Sequence, residues 1–159
     1  MTTRVLIIAY GNPLRSDDGV GWRAADALTY VLAKTEAEIL CFHQLGPELA
    51  ETISHFRHVI FIDAATTSQG KVPGEIRIEP ISPADKDATG PTRFSHHMTP
   101  PAVLGLAKTL YNAAVHAHLA TVTGQSFDHG EGLSPAVNSA LPDLVSKIES
   151  LVRDMLAAD

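Results

Sequence analysis

Apolar runs of strand length alternate with segments of helical period along this chain, and this alternation limits the possible folds more than any other feature. Strands separated by helices form largely parallel sheets that are covered by helices on both faces. We therefore predict an α/β fold: a single three-layer domain of residues 1–159, with a twisted, mostly parallel sheet of about five strands. The predicted strands are Arg4 to Ala9, Ile39 to His43, Val59 to Ile62, Gly74 to Pro80 and Leu119 to Thr123.

The helical segments carry start signals that fix their positions. The predicted helices are Gly19 to about Ala33, Pro47 to about Phe56, Thr99 to about Tyr111 and a long C-terminal stretch from Ser134. Thr99 is a good N-cap and the proline after it suits the first helical turn. Pro142 interrupts the last segment, which predicts a kink or two consecutive helical pieces. The strand from Gly74 to Pro80 alternates apolar and charged residues, so we expect it at an edge and antiparallel.

Size and composition set the broad class of the protein. With 159 residues, 45% of them apolar, the chain can bury a core without disulfides or a structural metal. The lone Cys41 lies in an apolar run and is expected to be a buried small hydrophobe. Val5 to Ala9 is too short an apolar run for a signal peptide or a membrane span, so we expect a cytoplasmic protein. A net charge of −6 without a Lys/Arg cluster argues against nucleic acid or a membrane surface as partner.

Acidic and imidazole side chains follow several of the predicted strands. Asp17 and Asp18 come after the first strand, Asp63 ends the third, and His96 and His97 lie between the fourth strand and a helix. Ligands of open α/β sheets bind beyond the carboxyl ends of the strands, so we expect these segments to meet at one rim. Two carboxylates and an imidazole there make a plausible site for a divalent transition metal with open positions for a substrate.

Each of these residues also has a purely structural interpretation. Asp17 or Asp18 can cap the helix that follows, Asp63 can bond its own loop backbone, and one of the two adjacent histidines can face solvent. His129 lies in a glycine-rich loop and is a further candidate for the substrate cleft. The remaining histidines lie at strand or helix edges and are interpreted as structural: His43, His55, His58, His116 and His118.

Other catalytic motifs are absent from the sequence. It has no Gly-x-Ser-x-Gly nucleophile elbow, no phosphate-binding loop after the first strand and no His-Glu-x-x-His zinc motif. Acidic residues at the first strand–helix turn would also repel a phosphate.

The stretch from Gly11 to Gly21 reads Gly-Asn-Pro-Leu-x-x-Asp-Asp-Gly-x-Gly and resembles the N-terminal signature of the hydrogenase maturation proteases. Val59 to Ala65, an apolar run that leads into an aspartate, resembles a second block of that family. Ser95 to Ala107, with a histidine before a Leu/Ala-rich helix, resembles a third. The resemblance covers essentially the whole chain.

The resemblance implies an endopeptidase that removes the C-terminal extension of a nickel–iron hydrogenase large-subunit precursor. It places the catalytic, metal-contacting residues at Asp18, Asp63 and His96, with His97 as the alternative to His96. The nickel belongs to the precursor and is not held permanently by the protease, and no organic cofactor is implied. The loops Ser82 to Ser95 and Gly124 to Gly132 are expected to hold the extension.

Two other functions fit the same residues. A non-catalytic assembly factor would recognise the nickel-loaded precursor without cutting it. A small-molecule metallohydrolase would hold a divalent metal of its own. With no extended apolar surface pattern left over, we expect a monomer.

Overall fold

The computed structural model describes residues 4–67, 71–84 and 98–158, which form one five-stranded sheet with helices on both faces. The strands are β1 (Val5–Tyr10), β2 (Ala37–Phe42), β3 (His58–Ala65), β4 (Ile76–Ile81) and β5 (His116–Thr123). The helices are α1 (Val20–Val31), α2 (Leu49–Ile53), α3 (Pro100–Tyr111) and α4 (Pro135–Ala158). A short 3-10 turn, Ser16–Gly19, precedes α1. The predicted α/β class and layering are confirmed.

Alternate side chains of the central strand β1 supply both halves of the core. Val5, Ile7 and Ala9 face the layer formed by α1 and α4. Leu6 and Ile8 face the layer formed by α2 and α3. All five side chains are fully buried, which explains why β1 is continuously apolar in sequence.

The order of the strands in the sheet is β2-β1-β3-β5-β4, and every pair is parallel except β4 with β5. The chain passes from β1 outwards to β2, then crosses back to place β3 on the other side of β1. The order therefore reverses between β1 and β3, where connections leave the sheet in opposite directions. Such a switch point is where open α/β sheets bind their ligands, at the carboxyl ends of the strands.

The edge position and antiparallel direction predicted for β4 are confirmed. Two strands are longer than the sequence predicts, because β3 and β5 pair along eight residues each, from His58 with His116 to Ala65 with Thr123. Asp63 therefore lies inside β3, opposite Thr121, and does not end the strand as expected.

The helix signals are confirmed at α3, where the Thr99 hydroxyl accepts the Ala102 N–H at 3.2 Å. Of the two outcomes predicted at Pro142, a kink or two consecutive pieces, the second is wrong, since α4 is one helix with Pro142 inside it. Pro142 is on the exposed side of the helix, so water can satisfy the carbonyl that its ring leaves free. Buried Val137 and Leu144, on either side of it, hold both halves against the sheet. No described helix is long and apolar enough to cross a membrane.

Candidate functional site

An open cleft of about 240 Å³ lies at the carboxyl ends of β1 and β3, at the switch point of the sheet. Its polar lining consists of Tyr10, Asp18, His43, Gln44 and Asp63. Its other lining residues are Gly11, Leu45 and Met98. The structure thus brings Asp18 and Asp63, selected from the sequence as a pair, into the same cleft.

Asp18 is held in place by the turn that follows β1. Its Oδ2 atom accepts the backbone N–H of Asn12 at 2.7 Å, so the turn closes on its own acidic residue. Gly11 makes this possible: its φ is +141°, and a Cβ there would lie 2.2 Å from the carbonyl oxygen of Asp18. Only glycine tolerates both the dihedral angle and this close approach. The Gly-Asn step of the sequence motif therefore has a geometric role in orienting the carboxylate.

Asp63 is the more deeply placed of the two acids. Its carboxylate accepts the N–H of Ala64 at 2.7 Å and a hydrogen bond from the Tyr10 hydroxyl. Burial raises the pKa of Asp63 to about 6; the two hydrogen bonds oppose this rise, and the negative charge of Asp18 adds to it. A cation bound between the two acids would favour their charged forms, so the arrangement suits a positively charged ligand.

Tyr10 supports Asp63 as a permanent donor. Burial raises the pKa of the Tyr10 hydroxyl well above its usual value, and the charges of Asp63 and Asp18 and the hydrogen bond to Asp63 raise it further. The hydroxyl therefore stays protonated and continues to donate to the carboxylate at any physiological pH.

Asp17 points away from the cleft and is fully buried. Its carboxylate accepts the backbone N–H groups of Gln125, Ser126 and Ser134, at 2.7, 3.0 and 2.7 Å, and the Ser134 hydroxyl at 2.8 Å. Burial raises the pKa of Asp17, but these hydrogen bonds outweigh it, and the net shift is downward. Asp17 does not cap the turn in which it lies; it ties that turn to the start of α4.

His96 and His97 lie outside the described residues. The strand-end rule does not apply to them, because β4 is antiparallel and its carboxyl end lies at the end of the sheet opposite the cleft. Met98, the next residue along, lines the cleft; it lies two residues before α3, and its N–H bonds the Leu45 carbonyl at 3.4 Å. Within residues 4–67, 71–84 and 98–158, no three His, Cys, Asp or Glu side chains are arranged to hold a metal ion.

The glycine-rich loop that contains His129 packs against the turn after β1 and does not line the cleft. The Ser16 N–H donates to the Gly130 carbonyl at 2.8 Å, and the Gly130 N–H donates to the Leu14 carbonyl at 2.9 Å. His129 itself is exposed on this loop. The backbone hydrogen bonds of Gly130 brace the turn that carries Asp17 and Asp18.

Two titratable cleft residues, His43 and Tyr10, were missed by the sequence analysis. His43, interpreted as structural, is exposed and lines the cleft, and Tyr10 bonds Asp63. Both lie at the carboxyl ends of neighbouring parallel strands, so the rule that selected the aspartates also covers them. Trp22 of α1 donates its indole N–H to the Gly11 carbonyl at 2.9 Å and meets the His43 ring edge to face at 5.5 Å.

A family model and two solved structures that match this chain describe the same kind of protein. A family model described as hydrogenase maturation protease matches residues 33–151. The chain is similar to the hydrogenase maturating endopeptidase HybD from E. coli, with 24% identity, a TM-score of 0.69, and coverage of 96% of this chain and 93% of that one. It is also similar to the [NiFe] hydrogenase maturation protease HybD from Thermococcus kodakarensis, with 25% identity, a TM-score of 0.67, and coverage of 94% and 99%. No curated protein sequence matches the chain.

Proposed function

Because the chain belongs to the hydrogenase maturation protease family and is therefore a peptidase, we propose that it removes the C-terminal extension of a nickel–iron hydrogenase large-subunit precursor. In this proposal the enzyme cleaves only after nickel has been inserted into the precursor. The nickel is part of the substrate, and the cleft recognises it before the peptide bond is cut.

The observation that carries the proposal is the pairing of Asp18 and Asp63 in one open cleft at the switch point of the sheet. Both carboxylates are held by backbone N–H groups at 2.7 Å, so they are oriented before a ligand arrives. Carboxylate oxygens bind divalent cations, and like charges placed together in a half-buried cleft favour a cation between them. A neutral peptide alone would not relieve this repulsion, whereas a metal-loaded precursor would.

His96 completes the proposed contact with the nickel. In the sequence, His96 stands two residues before Met98, which lines the cleft. An imidazole added to two carboxylates gives the mixed N/O donor set that suits nickel. His97 is the alternative donor, and the variants below show which of the two histidines is needed.

The cleft residues can position the substrate without holding a metal of their own. Asp18 and Asp63 would anchor the nickel, and Tyr10 keeps the Asp63 carboxylate in one orientation. The nickel supplies Lewis-acid chemistry close to the scissile bond. Fixing a reactive group beside the bond to be cut is a major source of rate enhancement in enzymes.

The test mixes the protein with nickel-loaded and with nickel-free precursor and follows the products by intact-mass spectrometry. Loss of a single C-terminal peptide from the nickel-loaded form only is expected. Asp18→Ala, Asp63→Ala and His96→Ala should abolish this loss while the protein still folds, because the two aspartates lie in a cleft outside the core. His97→Ala tests the alternative donor, and Asp154→Asn on the exposed face of α4 is the matched control.

Normal processing by Asp18→Ala or Asp63→Ala would contradict the site assignment. Equal cleavage of both precursor forms would contradict recognition of nickel. If the precursor binds but no peptide is lost, the protein is an assembly factor and not a protease for that precursor.

A further inference from the structure

His43 is the one imidazole among the described residues that line the cleft, and the proposed recognition of nickel gives it no task. It follows directly after β2, next to β1, where the Gly11 N–H bonds the Phe42 carbonyl at 3.0 Å. This places it beside the turn that carries Asp18. Its side chain is exposed, so it can exchange protons with solvent and contact a bound peptide.

Trp22 fixes the position of the His43 ring. The indole N–H donates to the Gly11 carbonyl at 2.9 Å, which ties the tryptophan to the turn after β1. The edge of one ring then meets the face of the other, with centroids 5.5 Å apart and planes at 77°. Edge-to-face contacts of this kind stabilise one orientation. An exposed histidine whose only task is solvation needs no such support.

His43 does not form a ligand set with the two carboxylates. In the part of the chain that the structure describes, no three potential ligand side chains are arranged to hold one ion. The imidazole therefore faces the cleft from a separate position, available to a part of the substrate other than its nickel. In the proposed reaction, the group next to the nickel is the scissile peptide.

We propose that His43 transfers protons during cleavage of the scissile bond; this rests on the proposed function. The oxygen of a water molecule bonds to the peptide carbonyl carbon and gives one proton to the neutral imidazole. The C–N bond then breaks, its electron pair stays on nitrogen, and the imidazolium returns the proton to that nitrogen. A carboxyl terminus and an amine leave, and His43 is again neutral. Histidine is suited to this double role because the imidazole gains and loses protons near neutral pH.

The experiment compares His43→Ala and His43→Gln with the wild-type protein in single-turnover cleavage of nickel-loaded precursor, at saturating enzyme. Both variants should lose about 100-fold or more in rate, the usual effect of removing an acid–base group. The melting temperature should stay unchanged, because His43 is exposed, and saturating enzyme removes any effect of weaker precursor binding from the measured rate. Free imidazole should restore part of the rate to His43→Ala, since the open cleft has room for it.

Two controls separate proton transfer from other effects. His55→Ala removes another exposed imidazole, which is paired with Glu51 at 2.9 Å outside the cleft, and should have wild-type activity with or without imidazole. Asp63→Ala should not respond to imidazole, since its defect lies in anchoring nickel.

The outcomes are distinct. A His43→Gln variant that cleaves within a few-fold of wild type would overturn the proposal, because glutamine can hydrogen-bond but cannot shuttle a proton. The proposal would also be overturned if the variants regained the wild-type cleavage rate at saturating enzyme, because His43 would then be only a binding contact. Failure of the wild-type protein to cleave any precursor would instead overturn the proposed function itself.

Discussion

Replacing Asp17 by asparagine should destabilise the protein strongly without touching the cleft. Asp17 is fully buried and accepts four hydrogen bonds, three of them at Oδ2 and one at Oδ1. An asparagine whose oxygen replaces Oδ2 keeps three of these bonds in neutral form. Its NH₂ group then faces the Ser134 N–H, so two donors meet and that backbone group loses its partner.

The size of the effect follows from these bonds. An orphaned buried N–H costs about 1–3 kcal/mol, and each of the three bonds that loses its charged acceptor weakens by up to about 1 kcal/mol. Relief from burying a charge offsets part of this loss. We expect a net loss of about 2–4 kcal/mol, which for a chain of this size lowers the melting temperature by about 5–15 °C. Asp17→Ala should cost more, because all four donors then lose their acceptor.

The assay is urea unfolding at pH 7, followed by circular dichroism, with thermal melts in parallel. Asp154→Asn, an exposed change of the same chemistry on α4, is the control and should stay within about 0.5 kcal/mol of wild type. If Asp17→Asn also stays within that range, the carboxylate does not tie the turn after β1 to the start of α4, and our account of the buried acid is wrong.

Two further predictions concern other parts of the molecule. Gly11→Ala should abolish processing and lower the melting temperature, because a Cβ would lie 2.2 Å from the Asp18 carbonyl oxygen; unchanged activity would show that the turn can rearrange. Burial, with added repulsion from His58 and His116, lowers the pKa of His118, so the folded state resists its protonation. Stability tied to this group is present above its unfolded pKa of about 6.5 and is lost as pH falls towards the lower folded value. Between pH 7 and 5, the free energy of unfolding measured with urea should therefore fall less for His118→Gln than for the wild type. An equal fall would contradict the lowered pKa of His118.

The fold was largely predictable because its determinants are local. The continuous apolar run of β1 indicates a strand buried on both faces, and Thr99 with Pro100 marks the start of α3. Strand ends were less predictable, since they depend on partners far away in sequence. Asp63 lies inside β3 only because β5 pairs with it there, opposite Thr121.

The candidate site was predictable in part for the same reason. Asp18 and Asp63 could be selected because both come from parallel strands, whose carboxyl ends share a rim. The distinct roles of Asp17 and Asp18 could not be read from two adjacent aspartates. Their roles differ because Asp17 accepts backbone N–H groups of Gln125 and Ser134, more than 100 residues away in sequence.

His43 shows the opposite failure, because the information was present and was not used. It follows β2 just as Asp18 follows β1, and the strand-end rule applies to both. The chain has eight histidines, and His43 was interpreted as structural because it lies at the end of a strand. Its ring contact with Trp22, by contrast, joins α1 to the end of β2 and was not predicted.

That packing gives the protein an optical reporter of its own. Trp22 is the single tryptophan of the chain, and it lies between the turn that holds Asp18 and the ring of His43. Its emission is therefore not averaged over several sites of this chain. Binding of a peptide without tryptophan in the cleft should alter this emission and can be followed in the unlabelled protein in real time.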